Sequence, residues 1–362
     1  MSFIHDKVFN YLCPPGNGIF TTHSMASIKK AYQEKLYPHS DLETVQGLWE
    51  KSLLQLSSEK KPLLLGIPTD AGAGVLKGSN WGPIYIRDQI AHLQNFLDLG
   101  DVKCIPHLIH DDYLSPEIMK SCRIDLYHKD LNLPVSPLSI AEDFCSEIYR
   151  THSQAKIMGL GGDNSTSYPL IKTWLKNQYQ LGRNPAILHL DAHTDLMNSR
   201  LGIPLTFGSW ANQLLPHLKN PQQFIQIGLR SSSHQKDYWE SKYGIKQIWA
   251  KDILDNQNYL DLILKTLRET NTDSVYISID IDVLDPKYAW ATGTPEPNGL
   301  EPHHLITILE SIHQECEISG ADLSEVAPHI SFPHEQKLTP EPETTLLSAR
   351  LIVQRLMEIL CQ

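Results

Sequence analysis

The chain has 362 residues, of which 41% are hydrophobic, so it is long enough to bury a large core. A formal net charge of −11, with no block of Lys or Arg, argues against a nucleic-acid-binding protein. No run of about 18 uninterrupted apolar residues occurs, which argues against a membrane-spanning segment. The six scattered cysteines form no Cys-x-x-Cys pair, and the N-terminal segment has no basic stretch followed by an apolar run. These features predict free thiols and a cytoplasmic location.

Residues 1–60 form an irregular segment with two candidate helices near 24–36 and 41–57, and we predict that it packs as an extension on the core. Residues 61–362 alternate short apolar runs with amphipathic segments, which predicts one α/β domain with a mostly parallel sheet between helices. Periodicity alone leaves an open sheet and a closed barrel as alternatives. The candidate strands are 62–70, 102–110, 155–163, 185–193, 223–229, 245–250, 274–282 and 317–326.

A first polar cluster, Asp191, His193 and Asp195, directly follows the apolar run 186–190. Residues two apart in an extended segment point to the same side, so these three side chains can converge. Two carboxylates and an imidazole suit a divalent ion such as Mn²⁺, Zn²⁺, Ni²⁺ or Fe²⁺. The alternative interpretation is a turn with a helix-capping aspartate.

A second cluster, Asp280 and Asp282, ends another strongly apolar run, where ionised carboxylates are costly without a cation. The alternative, two solvated loop aspartates, fits this buried context poorly. A third motif, GGDNS at 161–165, would alone indicate only a strand-to-helix turn. Together the clusters predict a two-metal site whose bridging water becomes hydroxide near neutral pH and attacks a guanidinium or amidine carbon.

The chain resembles the ureohydrolase family (arginase, agmatinase and formiminoglutamase) over roughly residues 60–362. The resemblance implies a three-layer fold with an open, mostly parallel, eight-stranded sheet and helices on both faces. It also implies two Mn²⁺ ions, a trimeric or hexameric homo-oligomer, and hydrolysis of a linear C–N bond in a small guanidine or formimino compound. It is carried by the order and spacing of GIPTDAGAG, WGPIYIR, GGDNS, DAHTD (191–195), SIDIDVLDP (278–286), TGTPEPNGL (292–300) and ADLSEVAP (321–328).

The resemblance also implies roles for individual residues. Asp191 and Asp280 would bridge both ions, His193 and Asp282 would complete one ion, and Asp195 would serve the other. By the same resemblance, the catalytic group would consist of Asp191 and His193 together with a glutamate of the ADLSEVAP motif.

Substrate contacts follow from the resemblance in the same way. Glu325 would meet the guanidinium group, although an ordinary loop acid before a proline is the alternative. Segment 292–300 would form the pocket wall beside Asp282. Asn198 and Arg200 are further candidate substrate-binding residues, because the planar fork of an arginine can pair with a substrate carboxylate.

Two departures from the family pattern bear on activity. Asn164 replaces the family's usual metal-binding histidine, and an amide oxygen is a poorer ligand than imidazole. The second ion should therefore bind weakly, be absent or differ in identity, with Ni²⁺ or another divalent ion as candidates; alternatively, Asn164 only caps the next helix. Segment 196–211 lacks the usual catalytic histidine, for which His329 and His334 are candidate replacements.

Three functional hypotheses follow. The first is a hydrolase of linear amidines, with formimino or guanidino-acid substrates favoured over arginine. The second is a metal-impaired, non-catalytic homologue with a binding or regulatory role, which the two departures would explain. The third is a deacetylase-like zinc amidohydrolase, which fits the GGD and TPEP features poorly.

Overall fold

A computed structural model describes residues 8–38, 43–54, 61–74, 76–129, 131–256, 258–330 and 342–362. In these ranges nine strands form one sheet in the order β1-β3-β2-β4-β9-β8-β5-β6-β7. Every neighbouring pair is parallel except β1 with β3. The strands are β1 Leu12–Cys13, β2 Leu63–Ile67, β3 Leu97–Val102, β4 Ile157–Gly161, β5 Pro185–Leu190, β6 Phe224–Leu229, β7 Lys246–Trp249, β8 Ser274–Asp280 and β9 Glu317–Ser324.

Helices cover both faces of the sheet, and each face forms its own apolar core with the helices packed on it. Alternate residues of a strand therefore point into different cores. On β4, for example, Met158 and Leu160 lie in one core and Ile157 lies in the other. The predicted three-layer α/β fold is therefore confirmed, and the sheet is open. The helices are α1 His23–Leu36, α2 Glu43–Leu53, α3 Gly82–Ile90, α4 Pro116–Tyr127, α5 Pro137–Thr151, α6 Ser167–Gln180, α7 Trp210–Leu214, α8 Lys236–Tyr243, α9 Ala250–Leu254, α10 Tyr259–Glu269, α11 Pro302–Glu315 and α12 Pro342–Leu360.

None of the described helices is long and apolar enough to cross a membrane. The sheet has one strand more than the eight predicted, because the two-residue β1 pairs antiparallel with β3 at the sheet edge. The N-terminal residues also pack on the core, since the buried indole of Trp49 donates to the Leu99 carbonyl at 3.1 Å. The division of the chain at residue 60 stays a prediction.

The predicted strand at 102–110 is wrong, because β3 lies earlier in the chain. Strand β3 contains Asp98, Gly100 and Asp101, so it lacks the apolar pattern of its neighbours. Arg87 on α3 is fully buried beside these acids and bonds Asp101 at 2.6 Å and Asp98 at 2.9 Å. Gly66 on β2 makes room for this pair, because an added Cβ would lie 2.0 Å from the Asp101 carboxylate. Arg87 lies on the preceding helix, 11 residues before Asp98, so the apolar pattern of the strand itself gives no sign that its acids are neutralised.

Replacing Arg87 tests how far this buried pair holds β3 in the sheet. Arg87→Met leaves Asp101 buried without its cation, so the free energy of unfolding should fall by about 3–5 kcal/mol. Urea denaturation followed by circular dichroism measures the change. Arg268→Met, which removes an exposed pairing with Glu315, is the control and should have little effect. An Arg87→Met protein as stable as wild type would contradict this account.

Candidate metal centre

Four adjacent strands, β4-β9-β8-β5, end at the same edge of the sheet. Asn164 follows β4, Glu325 follows β9, Asp280 ends β8, and Asp191 follows β5. Ligand sites of open α/β sheets lie at the carboxyl ends of the strands. The strand order therefore brings together side chains that are up to 161 residues apart in the chain, as in the bond from Asn164 N to the Glu325 Oε1 oxygen at 2.9 Å.

Tight turns, rather than extended chain, bring the aspartates of each motif together. The His193 N–H donates to Asp191 Oδ1 at 2.5 Å, and the Asp282 N–H donates to Asp280 Oδ1 at 2.9 Å. Each is a side-chain bond to the backbone two residues on, which is typical of Asx turns. Asp195 has a φ of 52°, in the left-handed region that few non-glycine residues adopt. The predicted convergence therefore occurs, but the extended geometry assumed for it is wrong.

One group of metal-ligating atoms consists of Asp191, His193 and Asp282, whose donor atoms lie within 4.8 Å of one another. His193 Nδ1 lies 3.0 Å from Asp282 Oδ2 and 3.4 Å from Asp191 Oδ1. Asp191 and Asp282 are fully buried, whereas the His193 side chain is 25% exposed. The site therefore opens towards solvent at the imidazole.

Asp191 also belongs to a second group, with Asp195 and His189. His189 Nε2 lies 2.8 Å from Asp191 Oδ2, and the Trp210 indole N–H donates to Asp195 Oδ2 at 2.7 Å. The two groups share Asp191, as expected of a carboxylate between two cation positions. Asp280 belongs to neither group, although its carboxylate is close enough to Asp191 and Asp282 to interact with their charges.

Asn164 lies against the second group. Its Nδ2 donates to Asp191 Oδ2 at 3.0 Å and to Asp195 Oδ2 at 2.9 Å, and its Oδ1 accepts from Ser324 Oγ at 2.7 Å. The alternative of a helix cap is wrong, because Asp163 accepts the Ser165 N–H at 2.8 Å in that role. Asn164 therefore meets the acidic side chains directly, with its amide hydrogens between two carboxylates.

Glu325 has an unusual backbone, with a φ of 61°. One carboxylate oxygen accepts the Asn164 N–H at 2.9 Å, and the other faces Gly293, where an added Cβ would lie 3.8 Å away. Strained backbone of this kind persists where surrounding contacts over-determine it, and it is frequent at functional sites. One carboxylate oxygen of Glu325 is therefore held by a backbone N–H, and the other lies beside Gly293, which has no side chain to cover it.

The acidic cluster, defined here as Asp191, Asp195, Asp280 and Asp282, is buried and crowded. Burial and the neighbouring carboxylates raise the pKa values of Asp195 and Asp280 well above their ordinary value, and that of Asp282 less far. Burial likewise opposes ionisation of Asp191, but the imidazoles of His189 and His193 lower its pKa. Burial opposes protonation of His193. The carboxylates of Asp282 and Asp191 outweigh this effect and raise the pKa of His193 to about 12.

The donor set of the acidic cluster fits a divalent first-row cation. In the described part of the chain, no Lys or Arg side chain forms an ion pair with these carboxylates. Arg230, the nearby guanidinium, donates instead to backbone carbonyls, including that of Asp282 at 2.6 Å. Buried carboxylates are normally paired or bound to metal. One imidazole, that of His193, cannot balance four carboxylates, so a divalent cation would supply the remaining positive charge.

The segment 292–300 lies beside the cluster, as predicted for the pocket wall. Thr294 Oγ1 donates to Asp282 Oδ2 at 3.2 Å, and Glu296 Oε1 lies 3.5 Å from His193 Nε2. Asn198 and Arg200 make no bond to the acidic cluster in the described residues. Asn198 is exposed, and the Arg200 guanidinium lies 4.9 Å from the centre of the Phe207 ring.

His329 and His334 are the candidate proton donors, and the structure describes only the first of them. His329 packs against Trp81 and Tyr85, with its Nε2 3.2 Å from the Tyr85 hydroxyl, so its ring is held by aromatic neighbours. His334 lies outside the described residues. The sequence did not point to His189 or Trp210, which both contact the acidic cluster. Two-residue alternation along β5 places His189 on the same side as Asp191 and could have revealed it; no local pattern indicated Trp210.

A family model, that of the arginase family, matches residues 60–357. The chain belongs to the arginase family. Human mitochondrial guanidino acid hydrolase is 27% identical over 96% of this chain and 92% of its own length. Agmatinase of Bacillus cereus is 29% identical over 75% of this chain and 84% of its own. The arginase structure of Medicago truncatula matches with a TM-score of 0.61 and 20% identity, over 93% of this chain and 97% of its own.

Membership of the arginase family confirms the resemblance found in the sequence and the arginase-like fold. Members such as agmatinase are hydrolases of small guanidino compounds. The family is in general binuclear and metal-dependent, and the two groups of ligating side chains around Asp191 are consistent with that.

Proposed function

We propose that this chain hydrolyses a linear C–N bond in a small guanidine or formimino compound and needs a divalent cation, Mn²⁺ by family preference, to do so. The observation that carries the proposal is the convergence of four buried carboxylates that no described Lys or Arg neutralises. A bound cation would supply a nucleophile by lowering the pKa of water, which is the chemistry that an unreactive guanidinium carbon needs.

The proposed ligands divide between two positions that share Asp191. His193 and Asp282 complete the first position, and Asp195 serves the second. Asp280 keeps its role as a second shared ligand only as a proposal, because its donor atoms lie outside both groups. Asp191 and His193, with Glu325, form the proposed catalytic group.

The protein's own side chains would place the substrate. Glu325 has one oxygen beside Gly293, and that oxygen can accept N–H bonds from a planar guanidinium or amidine. Thr294 donates to the Asp282 carboxylate, and Arg230 donates to the carbonyls of Asp282 and Glu296. These bonds hold segment 292–300 beside Asp282, where it would form another wall of the pocket. Arg200 could meet a carboxylate at the far end of the substrate. We therefore favour guanidino acids and formimino amino acids over substrates that end in an amine.

A panel of guanidino acids, agmatine, arginine and formiminoglutamate tests the proposal. Hydrolysis of a guanidine releases urea, and hydrolysis of a formimino group releases formamide. Turnover of at least one compound, dependent on added Mn²⁺ or Ni²⁺, is the expected result. Protein that binds metal and turns over none of them would favour the alternative of a non-catalytic homologue. That alternative is motivated by Asn164, whose amide hydrogens face the carboxylates of the second position.

Asn164→His tests the second cation position. Outer partners of metal ligands alone change affinity by about 10- to 100-fold, so a direct imidazole ligand should tighten the weaker ion at least about 10-fold. Calorimetric titration of the metal-free protein with Mn²⁺ measures both ions. The first ion should keep its affinity, which is the internal control. Unchanged affinity for both ions would place Asn164 outside the cation site.

We further propose a cytoplasmic homo-oligomer of trimer or hexamer type. The six cysteines are free, which suits a reducing compartment. Light scattering coupled to size exclusion gives the mass of the assembly, and a monomer of 41.0 kDa would contradict the oligomer.

A further inference from the structure

A row of polar side chains crosses three neighbouring strands beneath the acidic cluster. His189 on β5 is the register partner of Gln226 on β6, and Gln226 is the partner of Gln247 on β7. Trp249, two residues beyond Gln247, lies on the same side of its strand. His189, Gln226 and Gln247 are at most 1% exposed. We call these four residues the polar row; such groups are costly in a core unless every donor and acceptor is used.

Consecutive hydrogen bonds join the polar row end to end. Trp249 Nε1 donates to Gln247 Oε1 at 3.0 Å, and Gln247 Nε2 donates to Gln226 Oε1 at 2.9 Å. The Gln226 Nε2 group lies 3.0 Å from His189 Nδ1 and donates to the Thr194 carbonyl at 2.6 Å. The row ends where His189 Nε2 meets Asp191 Oδ2 at 2.8 Å.

The Trp249 indole N–H can only donate and the Thr194 carbonyl can only accept, and these two groups determine the direction of every hydrogen bond in the polar row. An indole N–H can only donate, so the atom of Gln247 beside Trp249 is its oxygen. A backbone carbonyl can only accept, so the atom of Gln226 beside Thr194 is its nitrogen. Gln226 therefore donates to His189 Nδ1, which must be unprotonated. The single ring proton of His189 is then on Nε2, between the ring and Asp191.

We infer that the polar row makes His189 a positioning residue: a neutral Nε2–H donor that orients Asp191, and not a ligand of the second cation. Proximity alone would allow His189 to bind a cation with Asp191 and Asp195. A protonated Nε2 has no lone pair for a metal, so the row excludes that role. His189 therefore does not replace the imidazole that Asn164 fails to supply. The bond is to Asp191 Oδ2, so Oδ1, which accepts the His193 backbone N–H at 2.5 Å, keeps a second lone pair for the first cation position.

The positioning role rests on the proposed cation site, whereas the tautomer does not. Nitrogen-15 NMR of metal-free protein with labelled histidines reads the tautomer directly, and His189→Gln assigns the signal by its loss. We expect His189 to show an unprotonated Nδ1 and a protonated Nε2. A protonated Nδ1, in either the other neutral tautomer or the imidazolium, would overturn the inference.

Gln226→Glu reverses the bond to His189, because a carboxylate can only accept from Nδ1. The Nδ1 signal should become protonated, and Mn²⁺ affinity should fall by about 10- to 100-fold. Gln226→Met, which removes the donor without adding charge, should lower Mn²⁺ affinity in the same direction. The matched control is Gln223→Glu, at an equally buried glutamine that donates to Asn184 Oδ1 at 2.8 Å, outside the row.

The outcomes separate the inference from the proposed function. An unchanged His189 tautomer in Gln226→Glu would overturn the assigned bond directions. A changed tautomer with wild-type Mn²⁺ affinity in both Gln226 variants would overturn the positioning role. The same loss of affinity in Gln223→Glu would also overturn it, since a general loss of packing would then explain the effect. Wild-type protein that binds no Mn²⁺ would contradict the proposed function, while the spectrum still decides the tautomer.

Discussion

Asp191→Asn is expected to abolish both Mn²⁺ binding and turnover. Asp191 belongs to both groups of ligating atoms, and it accepts bonds from His189, Asn164 and the His193 backbone. Asparagine keeps the shape but removes the charge that both cation positions share. Metal ions contribute several kcal/mol of transition-state stabilisation, so kcat/KM should fall by about 10³-fold or more.

The matched control for Asp191→Asn is Asp285→Asn, in the loop that follows β8. Asp285 accepts the Lys287 N–H at 3.1 Å and the Gly299 N–H at 3.1 Å, bonds that hold a turn outside the acidic cluster. This variant should keep wild-type metal content and activity. Calorimetric titration with Mn²⁺ and a product assay measure both proteins. Full turnover by Asp191→Asn would show that the acidic cluster is not the cation site.

Glu325→Gln is expected to lower kcat/KM by about 10²-fold or more while leaving metal content unchanged. Loss of one partner in a buried charged pair costs about 2–5 kcal/mol. Glutamine keeps the oxygen that accepts the Asn164 N–H, so the turn at φ 61° should survive. The charge that would face a guanidinium or amidine is lost. The effect is therefore expected on substrate turnover and not on the cation.

Two readouts separate a substrate contact from a structural role for Glu325. Mn²⁺ affinity and thermal unfolding should match wild type in Glu325→Gln, because only the substrate-facing charge changes. Glu315→Gln, at an exposed glutamate that pairs with Arg268, is a control and should leave kinetics unchanged. Loss of bound Mn²⁺ in Glu325→Gln would mean that this carboxylate belongs to the cation site instead.

Most of the fold and the acidic cluster could be predicted because their sequence signals are local. Apolar runs such as β5 and β8 are buried on both faces, and each ends directly in aspartates. The runs do not reveal the strand order that brings β4, β9, β8 and β5 together, and the family resemblance implied only an open, mostly parallel sheet. The strand β3 was misplaced because Asp98 and Asp101 are neutralised by Arg87, which lies on another element.

The remaining parts of the site depend on contacts across strands, which one sequence does not reveal. Gln226 and Gln247 read as polar interruptions of β6 and β7 until the register aligns them with His189. Trp210 reaches Asp195 from a helix fifteen positions further along the chain. Asn164 was recognised as a departure, but its contact with both Asp191 and Asp195 required the packing of β4 against its neighbours.

Metal content tests most directly whether the acidic cluster binds a catalytic cation, as we propose. Elemental analysis of protein purified without chelator and equilibrated with Mn²⁺ gives metal atoms per chain. We expect at least one tightly held ion, a second that is weaker because of Asn164, and loss of both in Asp191→Asn. Protein that retains no Mn²⁺, Ni²⁺ or Zn²⁺ after equilibration with each would contradict the proposal.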